Sequence, residues 1–188
     1  RILAGEVKQP GSFSLRTLDF VRNMTKSDAE LFEHVAKSAV KSPAGAFVAA
    51  HDKNWLEANR SLRQGQHFAL AELDIMYPSD LGLNLFRKDS IDETYFLLGD
   101  RILLLKRGGI ASEITLTVWK FTSIGAELLA LVDPHVDDEY LEHIASYFLA
   151  KNGNAFIARV TKKHADGRIQ YQIIRELSKE SPNKTEPT

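Results

Sequence analysis

Ile114–Leu131, ITLTVWKFTSIGAELLAL, changes within a few residues from a period-two pattern to a period-3.6 pattern. Ile114, Leu116 and Val118 alternate with Thr115, Thr117 and Trp119, as in a half-buried strand. Ile124, Leu128 and Leu131 then recur at helical spacing. Thr122 stands at the joint, where its hydroxyl is placed to accept a hydrogen bond from a free helix N–H. Gly125 keeps the first helical turn thin for close packing. The spacing predicts a strand that feeds directly into a capped helix.

Upstream of this joint, Tyr95–Leu98 and Ile102–Leu105 flank the turn signal Gly99-Asp100-Arg101, which predicts a hairpin. Gly108-Gly109 separates that hairpin from the strand at Ile114. Leu81, Leu83 and Leu85 alternate like a short strand, and Leu70, Leu73 and Tyr77 mark a helix over His67–Tyr77 that ends before Pro78. Between His51 and Gln66 the pattern favours a helix around Trp55 and a loop near Gly65. Phe47–Ala50 reads either as a short strand or as the start of another helix. Strings of the form aromatic-Thr-x-x-Gly-x-Glu-Leu, here Phe121 to Leu128, resemble the segment that closes the wing in many bacterial winged-helix domains. Helix, short strand, hairpin, strand and helix in that order are what a winged helix with an elaborated wing gives.

Toward the start, Ile2, Leu3, Ala4 and Val7 read as the last turns of a helix broken at Pro10-Gly11. The chain is therefore expected to be a fragment of a longer protein. Ser14 is placed to cap a second helix carrying Leu15, Leu18 and Val21 on one face. Thr25 to Asp28 and Ser27 to Glu30 both have capping-box spacing ahead of Leu31, Phe32, Val35, Ala36 and Ala39, with Pro43 to Gly45 ending that helix. After Asp133-Pro134 the composition shifts. Asp133, Asp137, Asp138, Glu139 and Glu142 crowd the start of a helix, where acids complement the dipole, before Ile144, Tyr147 and Phe148. Ala155–Thr161 and Arg168–Ile174 alternate across Asp166-Gly167, the strongest hairpin signal in the chain. Residues 177–188 have no apolar face and read as a disordered tail.

The expected architecture is α+β: a helical segment over 1–50, a degenerate winged-helix-like domain with a β wing over 51–132, a helix plus hairpin over 133–176, and the tail. Its 188 residues suffice for one well-buried core or two small ones. A formal net charge of −1 gives no general attraction to nucleic acid or anionic membrane. The absence of cysteine excludes disulfides, thiolate zinc sites and cysteine nucleophiles. No apolar run is long enough to span a bilayer, so no membrane partner is expected and the cytoplasm is the expected location.

No stretch carries enzymatic chemistry: the serines at 12, 14, 38 and 42 lack a nucleophile elbow, and no glycine string opens a helix as a phosphate loop. No cofactor is expected. His135, Asp137, Asp138 and His143 are possible metal ligands by type, but they have no ligand spacing and sit where helices collect acids anyway. His34 and His51-Asp52 are isolated and read as surface residues. Trp55, Tyr95, Trp119 and Phe121 read as core rather than as base-stacking residues.

A nucleic-acid reader needs cations for phosphates. The helix in the recognition position, His67–Tyr77, has none and carries Glu72 and Asp74. The best phosphate contacts on the wing are Arg101, Lys106 and Arg107. The C-terminal hairpin is more basic, with Lys151, Arg159, Lys162, Lys163, Arg168 and Arg175 against Asp166 alone. A solvated strand face, or one balancing the acidic helix start beside it, explains that excess more simply. The leading expectation is thus a non-enzymatic interaction module, scaffold or regulatory, that binds another protein or itself. A nucleic-acid-binding winged helix is the alternative.

Two further segments carry a family resemblance. Ile2-Leu3-Ala4-Gly5-Glu6, Pro10 to Ser14 and Arg16-Thr17-Leu18, followed by Asp28-Ala29-Glu30 and Phe32, resemble the bacterial domain of unknown function family 2806. The segment from Phe121 to Leu128 fits the same pattern. The resemblance covers the first two-thirds of the chain, implies a further segment before Arg1, and transfers no catalytic residue. Read physically, Glu6 is placed to pair with Arg16 across the Pro10 turn as a structural clasp between two helices.

Overall fold

The computed structural model describes residues 13–87, 92–133, 135–164 and 167–178. Over these, helices α1 (Leu15–Asn23) and α2 (Lys26–Ala36) lead into strands β1 (Val40–Ser42) and β2 (Gly45–Ala49). Helices α3 (Lys53–Arg60) and α4 (Gln64–Glu72) follow, then β3 (Leu81–Leu85), β4 (Glu93–Leu98), β5 (Arg101–Lys106) and β6 (Ile114–Lys120). The chain continues through α5 (Ser123–Leu128), α6 (Asp138–Leu149), β7 (Asn154–Lys163) and β8 (Ile169–Leu177). Helices first and an antiparallel sheet later define the α+β class. The chain divides into two compact units, one of Arg1–Leu83 with Leu116–His135 and the other of Asn84–Thr115 with Val136–Thr188.

In the first unit the strand order is β3-β6-β2-β1. β1 and β2 form a hairpin with Val40 opposite Phe47, and β2 pairs with β6 through Phe47–Lys120, Val48–Trp119 and Ala49–Val118. Both pairings are antiparallel. The joint at Thr122 is as its sequence predicts: the Thr122 hydroxyl accepts from the Gly125 N–H at 3.2 Å and donates to the Asp74 carbonyl at 2.6 Å. Phe32 of α2 meets Phe121 edge-on, with ring centroids 6.3 Å apart, and Ile75, Ile124 and Leu128 are buried beside the joint.

Several boundaries move. Helix α2 stops at Ala36 because Val40 is fully buried in the β1–β2 hairpin, which settles Phe47–Ala49 as strand. Gly65 lies inside α4 rather than in a loop. The Gln66 side chain accepts from the Arg63 backbone N–H at 2.7 Å and so starts the helix before Gly65. The same helix ends at Glu72, short of Tyr77, and Asp74 turns the chain with φ 61, a conformation Asp tolerates. In α1 the inward residue is Thr17, whereas Leu15 is 82% exposed. The expected helix before Pro10 and residues 179–188 of the expected tail lie outside the described residues; residue 177 ends β8.

In the second unit β4, β5, β7 and β8 are neighbours in that order, all antiparallel. Helix α6 packs on β5 and β7, with Phe148 edge-on to Phe96 and to Phe86. A smaller apolar cluster of Ile102, Leu104 and Ala158, bordered by Tyr95, Leu97, Phe156, Val160 and Ile169, is also present. The register puts Leu97, Ile102 and Ala158 in line across β4, β5 and β7, so this cluster lies on one sheet face. The Tyr171 hydroxyl of β8 reaches Glu93 of β4 at 3.3 Å although β5 and β7 lie between the two strands. The sheet is therefore curled, and register shifts between Ile157/Ala158 and Val160/Lys162 supply the bend.

Candidate functional site

Ser14 caps α1 by accepting from the Thr17 N–H at 3.2 Å, and its own N–H and hydroxyl donate to the Glu127 carboxylate at 2.8 and 3.1 Å. Glu127 belongs to α5, so this contact joins the start of α1 to the helix that follows the strand joint. The Ser14 backbone N–H holds the Glu127 carboxyl below its ordinary range, against a smaller opposing push from burial. Glu127→Gln is expected to cost about 1 kcal/mol and to loosen α1 first. Hydrogen exchange checks this: faster exchange over Leu15–Asn23 with α2 unchanged is the expected result.

Held in this way, α1 forms one wall of an open groove of about 440 Å³. Phe20 of α1, Met24 just after it, Leu73 beyond α4 and Ile124 of α5 give it an apolar floor. Asp19, Asp28, Glu72 and Asp74 stand around it, with Arg16 as the one cation among the described residues that line it. Arg16 already donates to Asp74 at 2.8 Å. Asp28 also closes the predicted capping box, accepting from the Thr25 N–H at 3.0 Å. The groove is thus apolar at its base and negative at its rim, a surface that favours an apolar segment carrying positive charge.

The expected Glu6–Arg16 clasp involves a residue outside the described ones. The observed partner of Arg16 is Asp74, and both side chains are about two-thirds exposed, which limits the pair to less than about 1 kcal/mol.

A second polar cluster lies in the same unit and was not anticipated from sequence. His67 is fully buried, stacked on Trp119 with centroids 5.0 Å apart and planes 3° from parallel. Its Nε2 is 2.9 Å from the Tyr77 carbonyl and its Nδ1 is 3.0 Å from Gln64 Nε2. A carbonyl only accepts, so Nε2 carries the proton and Nδ1 accepts from the Gln64 amide: the ring is neutral. Burial lowers the His67 pKa, against the Tyr77 hydrogen bond and the Asp80 charge, which raise it. The Trp119 indole N–H donates to Asp80 at 2.9 Å, and Asp80 also holds Lys53. Burial pushes the Asp80 carboxyl up, but Lys53 and the Trp119 hydrogen bond outweigh it and leave the carboxyl below its ordinary range. His67, Trp119, Asp80 and Lys53 are thus hydrogen-bonded or ion-paired as in a structural network, and the Gln64 Oε1 is the one atom of the cluster buried without a hydrogen-bond partner among the described residues.

Of the six phosphate contacts expected from sequence, Arg101, Lys106 and Arg107 are paired with carboxylates. Arg101, with a side chain only 15% exposed, is 2.7 Å from Asp100 and 3.3 Å from Asp138. Lys106 is 3.2 Å from Glu93 and lies over the Phe156 ring. Arg107 is 2.6 Å from Asp92, donates to the Arg87 carbonyl at 2.8 Å and lies over Phe86. Lys162, Lys163 and Arg168 are exposed together near the β7–β8 turn. The register puts Lys106 opposite Asn154 and Arg101 opposite Arg159, so Lys106 and Arg107 lie at the far end of β5 from that turn. The strand rise separates the two basic groups by more than about 20 Å along the sheet.

Of the possible metal ligands, Asp137 caps α6 by accepting from the Tyr140 N–H at 2.9 Å, Asp138 faces Arg101, and His135 is exposed. No group of three or more metal-ligating side chains occurs among the described residues. Asp52 caps α3, and His34 Nε2 is 3.3 Å from the Ser61 carbonyl. No helix among the described residues is long and apolar enough to cross a membrane.

The fold and this geometry define an α+β protein with an acid-rimmed groove between helices. The family model described as Protein of unknown function (DUF2806) matches residues 1–145, and the chain belongs to that family. The matched region contains every residue of the groove. Comparison with curated proteins and with solved structures gives no match.

Proposed function

We propose that this chain is a non-enzymatic interaction module that takes up a basic, amphipathic segment of another protein in the groove beside α1. The observation that carries the reading is the pairing of an apolar floor with four carboxylates and a single arginine that is already bound to one of them. An incoming segment with apolar residues on one face and lysine or arginine at its edges buries the former on Phe20, Met24 and Leu73 and meets the latter with Asp19 and Glu72. Rim charges of this kind act on encounter and partner choice more than on total affinity. In this reading the module serves as a scaffold or regulatory part of a bacterial cytoplasmic assembly.

The test is a titration with a synthetic Leu/Lys amphipathic peptide and its Leu/Glu counterpart. Asp19→Asn combined with Glu72→Gln is expected to weaken Leu/Lys binding about tenfold at low salt and less at physiological salt, where exposed charges are screened. The Leu/Glu peptide is expected not to bind. Equal affinity of the double variant for the Leu/Lys peptide overturns the reading. Nucleic-acid binding is the weaker reading, because the wing cations are committed to Asp92, Glu93, Asp100 and Asp138 and the exposed lysines lie apart from them. Saturable, salt-sensitive binding of duplex DNA, lost when Lys162 and Lys163 are neutralised, is the result that would restore it.

A further inference from the structure

Among the described residues strand β8 is an edge of its sheet, bonded to β7 on one side, and every residue from Gln170 to Glu176 is exposed. Tyr171, Ile173 and Ile174 are 38%, 47% and 53% exposed, an uncommon load of apolar surface for an outer strand. An uncovered edge presents a row of backbone donors and acceptors to a further strand.

Within this edge, Ile169-Gln170-Tyr171-Gln172-Ile173 reads the same in both directions. It is also the regular part of β8. The residues added by the two register shifts are Ile174, between Ile173 and Arg175, and Thr161 on β7, so neither interrupts residues 169–173. Tyr171 and Ile173 stand opposite Val160 and Ala158, on the sheet face of Ile102 and Leu104, while Gln172 stands opposite Arg159 on the other face.

We propose that β8 is a self-association edge, which pairs antiparallel with β8 of a second copy about a twofold axis through Tyr171. A palindrome is what such an axis requires, since each residue must suit its own mirror position in the partner. Here Ile169 meets Ile173 of the second copy, Gln170 meets Gln172, and Tyr171 meets Tyr171. Apolar residues stay with apolar residues on one face and amides with amides on the other, with no charge opposed to a like charge. Shifting the axis to Gln172 sets Ile169 against Arg175 and Gln170 against Ile174, so the sequence specifies the register. An extended segment of a different protein would need only the exposed edge and gains nothing from the palindrome. This edge lies in the second unit and the groove in the first, so the two proposals stand or fall separately.

The test is analytical ultracentrifugation of the 188-residue chain over a range of concentrations, with two double variants at exposed positions. Gln170→Lys with Gln172→Lys places like charges opposite at both mixed pairs and is expected to raise the dimer dissociation constant at least about tenfold. Gln170→Lys with Gln172→Glu places opposite charges there and is expected to restore dimerisation. A weak dimer is trapped by Tyr171→Cys, since the chain has no other cysteine and the axis brings the two thiols together. Mild oxidation is expected to cross-link Tyr171→Cys and not Leu15→Cys, a more exposed position on α1. A Tyr171→Cys variant that cross-links no faster than Leu15→Cys overturns the proposal. So does a Lys/Glu variant no more dimeric than the Lys/Lys variant.

Discussion

Gly125→Ala is expected to lower the melting temperature by about 6–12 °C, from a loss of about 3 kcal/mol. A Cβ at this position would lie 2.2 Å from the Ile75 carbonyl oxygen and 3.0 Å from the Phe121 ring. The carbonyl is backbone and accepts from the Thr122 N–H at 3.0 Å, so it has little freedom to retreat. The strain falls on the joint between β6 and α5 and on the α5 wall of the groove. Gly65→Ala is the matching control: nothing lies within 4 Å of its Cβ and the residue is helical, so the substitution is expected to be neutral or to stabilise by up to about 1 kcal/mol. Thermal unfolding of both variants checks the contrast. A Gly125→Ala variant that melts with the parent protein would mean that α5 does not approach Ile75 so closely.

His67→Ala is expected to cost about 3 kcal/mol. It removes a fully buried ring from under Trp119 and leaves the Tyr77 carbonyl without its donor. His67 also gives stability a defined pH dependence. Burial holds its folded pKa below the ordinary 6.5, so the unfolded chain binds the proton more tightly. The stabilisation is fully present above about pH 6.5 and is lost as the pH falls from there toward the folded value. Asp80 acts in a lower window: its folded pKa lies below the ordinary 3.8, so its contribution is lost only under more acidic conditions. Denaturant unfolding at several pH values is expected to show a loss of stability on acidification below about pH 6.5 that His67→Phe reduces. A parent protein with flat stability through that range contradicts a buried neutral imidazole.

Most of the elements are legible in the sequence because local chemistry fixes them. The Thr122 and Ser14 caps, the Thr25–Asp28 capping box and the hairpin turns at Gly99 and Gly167 are decided within four residues. The misplaced boundaries fall where a distant partner decides: the end of α2 is set by the pairing of Val40 with Phe47, and α4 is started by the Gln66 side chain despite Gly65. His67 is invisible to periodicity because a polar residue at the start of an apolar pattern gives no sign that Trp119 and Tyr77 will enclose it. Charge counted along the chain does not show that Arg101 reaches Asp138, whereas the expected balance between the basic hairpin and the acidic helix start is seen where Arg175 bonds Glu142. The groove draws its floor from Phe20, Leu73 and Ile124, three positions that only the folded chain brings together. The palindrome at 169–173 was in plain view, but it acquires meaning only once β8 is known to be an edge.

If the groove beside α1 receives a basic amphipathic segment, the chain supplies its own reporter. It has two methionines, of which Met24 forms part of the groove floor and Met76 is 1% exposed in the core. Methyl-labelled methionine therefore gives two NMR signals, and the measurement is their response to the Leu/Lys peptide. A saturable shift of the Met24 methyl with Met76 unmoved is the predicted result. A peptide that binds while the Met24 methyl stays in place, or that leaves both signals unchanged throughout the titration, would mean that the groove is not its binding site.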